Sequence, residues 1–236
     1  MPDIKSLTAA ELLRLYRRRE LSPVEVTRDQ LDRIEQFQPA INAFIIVDRD
    51  GALAAAKASE ARWQKGEPVG LADGLGATVK DNIWLKGFPS RRGSLTSDPA
   101  PMKEDAPAVA RLRESGAVIL GKTTLPEFGW IGVTHSPLTG ITRNPWKLDR
   151  TPGGSSGGAA AAALLNLGHL HIGTDGAGSI RIPAAFTGVF GIKPSFGRVA
   201  AYPASPFSIL AHVGPLTRTV TDAALMLSVI GGPDMR

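Results

Sequence analysis

The sequence predicts an α/β fold, with a mixed, mostly parallel sheet flanked by helices. Three observations carry that reading. Capped helical patterns fill the first 66 residues. From residue 70 short apolar runs, "ATVKDNIW" and "AVILG", alternate with a helical pattern. An alanine-rich segment then runs directly into the strand-like "HLHIGT". Strands that alternate with helices read as one α/β sheet rather than as separate all-α or all-β layers.

Taken in order, Thr8-x-x-Glu11 is a capping box, followed by Leu12, Leu13, Leu15 and Tyr16 at helical spacing. Ser22-Pro23-Val24-Glu25 is a second box with proline at the first helical position, and it opens a helix through Ile34. An alanine-rich third helix runs from about Asp50 to Trp63 and stops near Gly66. "ATVKDNIW" and "AVILG" read as buried strands, and "APAVARLRESG" between them as a helix stopped by Gly116. Gly157, Gly158 and five alanines lead into Leu164 and Leu165 as a helix. Thr219 opens a last helix through Val229. The whole reads as a single domain over 1–236, with N-terminal helices over 1–66 and an α/β core over 67–236.

The composition narrows the function classes. A chain of 236 residues that is 43% hydrophobic can bury one sizeable core. The net charge of +5 is scattered, and its densest cluster, "RLYRRRE" at 14–20, reads as a solvated helix face. With aromatics at 6% there is no stacking platform, so no direct nucleic-acid partner is expected. The absence of cysteine excludes disulfides, thiolate metal sites and cysteine nucleophiles. "MPDIKSLTAAELL" lacks the pattern of a secretory signal, and no apolar run approaches the ~20 residues of a spanning helix. The expected setting is cytoplasmic, away from any membrane.

"GAVILGKT" at 116–123 matches the phosphate-loop pattern G-x-x-x-x-G-K-[ST] but not its mechanism. A phosphate cradle needs a glycine-rich loop after the strand and a helix from the lysine onward. Here the middle residues are themselves the strand, and Pro126 disfavours a helix beyond Lys122. The nucleotide reading is rejected.

Two glycine-serine segments remain, "GGSSGG" at 153–158 and "GAGSIR" at 176–181. A serine hydroxyl is a poor nucleophile until a base removes its proton. His169 and His171 alternate within one strand with no third ligand nearby and read as structural; His135 and His212 fall in loops. A lysine neutralised by burial can replace histidine as the base. Lys80, at the end of the apolar "GLGATV", is the candidate, and the residues alone leave an ion pair with Asp81 equally open.

The chain resembles the amidase signature family. The motifs that carry the likeness are "VKDNI" (79–83), "GKTTLPEF" (121–128), "TRNPW" (142–146), "PGGSSGGAAAA" (152–162) and "GTDGAGSIRIPAAFTGVFGIKPS" (173–195), with "HVGPLTRTVTDAAL" after them. The resemblance implies a Ser-Ser-Lys triad: Ser179 as nucleophile, Ser155 as bridging serine at a cis peptide bond, and Lys80 as general base. It implies an oxyanion hole from the N–H groups of Gly176, Ala177, Gly178 and Ser179, with Ser156, Thr174, Asp175 and Arg181 in support. No metal or cofactor is called for. The implied activity is hydrolysis of a small-molecule amide through an acyl-enzyme, by a protein free to form a homodimer. The alternative is the glutaminase-type A subunit of an aminoacyl-tRNA amidotransferase, working with its partner subunits. That component usually has Asp-Gln where this chain has Ala211-His212, which favours the stand-alone form.

Three departures from the family pattern stand out. Ala177 replaces a usual glycine and is expected to be strained if the turn needs a positive φ there. Arg91-Arg92 replaces a stretch that is usually small or hydroxylated. Family members run to roughly twice this length, so the resemblance implies that residues 1–236 correspond to the N-terminal half of the fold.

Overall fold

The computed structural model describes residues 3–235. Both capping boxes form. Thr8 and Glu11 close the first turn of α1 (Ala9–Arg18), and Ser22 and Glu25 that of α2 (Pro23–Ile41). Each such cap is worth ~1 kcal/mol. Helix α2 runs past the expected end at Ile34 and takes Pro39 into its last turn. The Gln38 side chain then closes the helix: its Oε1 accepts from the N–H groups of Ala43 and Phe44, and its Nε2 donates to the Phe44 carbonyl.

That closure aims the chain into β1 (Phe44–Val47), a strand that the sequence reading did not foresee. The N-terminal segment therefore supplies a sheet edge as well as helices. Helix α3 (Arg49–Lys65) follows and ends at Gly66 as expected. Next come β2 (Gly76–Lys80), α4 (Pro107–Glu114) and β3 (Val118–Thr123), then a two-stranded hairpin of β4 (His135–Ser136) and β5 (Gly140–Ile141). The chain continues through α5 (Gly157–Leu164), β6 (Leu170–Asp175), α6 (Arg181–Thr187), β7 (Phe190–Gly191), β8 (His212–Thr217) and α7 (Val220–Ile230). His135 and His212 thus open strands; β4 has only two residues, and Gly214 and Pro215 interrupt the apolar pattern of β8.

The main sheet has the order β1-β3-β2-β6-β8-β7. Its centre, β3-β2-β6, is parallel, and β1 and β8 run opposite to the rest. The pleat sorts side chains onto two faces. Ala77, Val79, Leu170, Ile172 and Ile119 join the core built with α1, α4 and α7. Val118 and Leu120 face α2, α3 and α5. The five alanines of α5 let it lie directly on this second face. Gly158 permits the closest approach, since a Cβ there would sit 2.6 Å from the Ala43 carbonyl oxygen.

The two strand histidines are structural. In His171 the Gly168 carbonyl can only accept, so Nε2 carries the proton (3.1 Å), while Nδ1 accepts from the Thr78 hydroxyl (2.9 Å). His169 Nδ1 accepts from Gln30 Nε2 at 2.8 Å. Burial lowers His169 to about 3 and His171 to about 4. No helix among the described residues is long and apolar enough to cross a membrane.

These lowered values set a pH dependence. Below the unfolded value near 6.5 the unfolded chain binds protons that the folded chain refuses, so stability falls as pH drops toward 4. In His171→Gln that contribution is gone. The variant is expected to be less stable than the parent at pH 7, and the gap in urea midpoint is expected to narrow steadily between pH 6.5 and 4. A gap independent of pH would refute the neutral buried imidazole.

Candidate active site

Four segments converge at the ends of β2 and β6. The register sets Val79 opposite Lys122 and Lys80 opposite Thr123, so the pleat sends the two lysines to opposite faces of the sheet. Lys122 meets Asp81, with Nζ 2.9 Å from Oδ1 and both side chains fully buried. Its ammonium also donates to the carbonyls of Pro89 (2.6 Å) and Asp81 (3.3 Å). Lys122 therefore lies within β3 and holds a loop, as the rejection of the phosphate-loop reading requires.

Lys80 is left without Asp81 and points at the start of α5. Its Nζ lies 2.7 Å from Ser155 Oγ, 2.9 Å from Ser156 Oγ and 2.9 Å from Thr174 Oγ1. Burial lowers it to about 7, opposed in part by the charge of Asp175. An amine at that value is substantially uncharged at neutral pH, with a lone pair that needs a donor. Ser156 Oγ donates to the Thr174 carbonyl at 3.2 Å. An uncharged Nζ can then accept from the Ser155 or the Thr174 hydroxyl, neither of which has another acceptor among the described residues.

Ser155 follows a cis peptide bond from Gly154. Ser179 lies on the same cavity as Ser155, and its carbonyl accepts from the Ser156 N–H at 3.1 Å. Its own hydroxyl, half-buried, has no hydrogen-bond partner among the described residues. The cavity holds about 350 Å³, and Phe128, Trp130, Ile131, Phe207 and Leu210 form apolar walls.

Asp175 organises the turn before Ser179. Its carboxylate accepts from the N–H groups of Gly178 (2.7 Å) and Ile180 (3.1 Å) and from Arg181 Nε and Nη2, both at 2.9 Å. Burial alone would raise this carboxyl, but the Arg181 guanidinium and the two N–H groups outweigh it and hold it at about 2. This corrects the expected donor set, because the Gly178 N–H is already bound to Asp175. The N–H groups of Gly176, Ala177 and Ser179 have no acceptor among the described residues.

The same turn answers the question raised by Ala177. Positive φ falls one residue later, at Gly178 (φ 113°), where a Cβ would also meet Ile182 Cδ1 at 2.8 Å. Ala177 is exposed and unstrained. Of the supporting residues, Ser156 and Thr174 touch Lys80 directly, and Arg181 acts through Asp175. Sequence reasoning assigned no role to Asn82, whose Nδ2 donates to Thr174 Oγ1 at 3.1 Å. Its signal was its position two residues after Lys80.

The family described as Amidase matches residues 25–236. The chain is 46% identical over 237 residues to the A subunit of the glutamyl-tRNA(Gln) amidotransferase of Acidothermus cellulolyticus, covering 100% of this chain and 47% of that protein. The protein of the same description from Salinispora arenicola is 46% identical over 235 residues, covering 99% and 48%. Among solved structures, a bacterial aryl acylamidase of the amidase signature enzymes is 36% identical with a TM-score of 0.90, over 99% of this chain and 49% of that one. The native peptide amidase from Stenotrophomonas maltophilia is 35% identical with a TM-score of 0.92, over 98% and 49%. The chain spans about half the length of the curated relatives it matches.

The Lys122–Asp81 pair can be tested without reference to chemistry. Lys122→Met strands a buried carboxylate and is expected to lower unfolding free energy by about 3–5 kcal/mol. Adding Asp81→Asn is expected to recover part of that loss in denaturant unfolding. If the double variant is no better than the single one, the pair is not what holds this loop.

Proposed function

Because the chain belongs to the amidase signature family, we propose that its residues carry the serine chemistry of an amide hydrolase. The observation that supports this most is the buried Lys80 amine, ringed by hydroxyl oxygens and without a carboxylate partner.

In this reading neutral Lys80 takes the proton of Ser155, which takes that of Ser179. The Ser179 oxygen attacks the amide carbonyl carbon. The negative charge that develops on the carbonyl oxygen is met by the N–H groups of Gly176, Ala177 and Ser179, donors already held in place before the substrate arrives. The C–N bond then breaks, and the proton returns through Ser155 to the departing nitrogen. This leaves an ester on Ser179. Water, deprotonated by the same relay, attacks the ester, releases the carboxylic acid and restores the serine. The setting assigned in this reading is the cytoplasm.

A second reading, the glutaminase-type component of an aminoacyl-tRNA amidotransferase, is favoured by the higher identity to proteins of that description. Turnover of simple amides without partner subunits speaks for the first; turnover of glutamine only with them speaks for the second.

Two outcomes are expected of the full-length protein. Ser179→Ala abolishes the burst of product from an activated ester, and Lys80→Ala lowers kcat by roughly 100-fold or more. Only the uncharged amine accepts a proton, so kcat/KM rises with pH and levels off above about 7. A profile flat from pH 5.5 to 8.5, or a burst that survives Ser179→Ala, would remove the mechanism.

A further inference from the structure

The charged side chains lining the cavity are Arg92 and Asp175. Asp175 is neutralised by Arg181 and by backbone N–H groups. The Arg92 guanidinium has no hydrogen-bond or ion-pair partner among the described residues. Its backbone, by contrast, is held tightly. The Arg92 carbonyl accepts from the Phe128 N–H at 2.8 Å, and the Arg92 and Gly93 N–H groups face the Asp81 carboxylate. Arg92 also adopts φ 53°, a conformation that non-glycine residues take uncommonly. The buried Lys122–Asp81 pair thus fixes an unpartnered cation at the wall of the cavity that holds Ser155 and Ser179.

We propose that Arg92 is a specificity-determining residue that pairs with a carboxylate on the substrate. Resting on the amidase reading, this names the substrate class: an amide with an anionic carboxylate and no ammonium group. An arginine fork matches a carboxylate with two parallel N–H donors. A zwitterion such as glutamine brings an ammonium that meets no free carboxylate among the described residues lining the cavity. The apolar walls around Trp130 and Phe207, whose rings stack at 17°, suit the uncharged remainder of the molecule.

The test uses the full-length protein and matched probes. Glutaramate, glutamine and pentanamide vary the charge on the acyl side; 4-acetamidobenzoate and acetanilide vary it on the amine side. In at least one set the anionic amide is expected to exceed its partners in kcat/KM by about tenfold or more, with the advantage shrinking at high salt. Arg92→Gly removes the charge and accepts the same φ, and it is expected to collapse that ratio; Arg92→Lys retains more of it. Calorimetry of glutaramate and 4-acetamidobenzoate with Ser179→Ala, with and without Arg92→Gly, reads the contact without turnover. A preference in neither set, or equal ratios in all three proteins, overturns the proposal. If the anions bind Ser179→Ala only while Arg92 is present, yet no amide is turned over, the anion site stands and the amidase reading falls.

Discussion

The site depends on keeping one lysine away from every acid. An ammonium buried among apolar atoms and hydroxyls is costly, and the protein relieves the cost by letting Lys80 lose its proton. That works only because the two nearby carboxylates are engaged elsewhere. Asp81 is bound to Lys122, and Asp175 to Arg181 and the N–H groups of its own turn. Free either carboxylate to reach Lys80, and the amine would charge and lose the lone pair that the proposed relay needs.

Those two ion pairs do different structural work. The Lys122–Asp81 pair is fully buried and anchors the loop carrying Ser90, Arg92 and Gly93, with Ser90 donating to the Asp81 carbonyl at 2.8 Å. The Asp175–Arg181 pair is half in solvent, and its importance lies less in the ion pair than in the N–H groups gathered on the same carboxylate. By holding Gly178 and Ile180, Asp175 bends the chain so that the neighbouring N–H groups stay unpaired. One buried acid thus shapes the turn before Ser179 by removing one donor from it.

Much of this could be read from the residues. The capping boxes around Thr8 and Ser22, the alanine-rich α5 and the strand after it each come from local chemistry: a side chain reaching a backbone N–H, a period of 3.6, a run of apolar residues; the strand read over "ATVKDNIW" stops at Lys80, short of its expected end. The segments missed were β1, β4, β5, α6, β7 and β8. The strands β1 and β7 are the edges of the sheet, four and two residues long, and nothing in such a stretch sets it apart from a loop until a neighbouring strand pairs with it; β8 lies inside the sheet, but Gly214 and Pro215 interrupt its apolar pattern.

The sequence alone determined that an alanine-rich helix begins just after two serines, that a third serine follows a turn of small residues, and that a lysine ends an apolar strand. It left open whether Lys80 pairs with Asp81, its neighbour in the chain, because Lys122, which takes that acid instead, stands 41 residues away from it. Pairing of β2 with β3 decided it: the pleat turns Lys122 toward Asp81 and Lys80 toward Ser155. Local propensity acts over a few residues, whereas the protonation of a buried amine depends on every charge within several ångströms, and only packing brings those together.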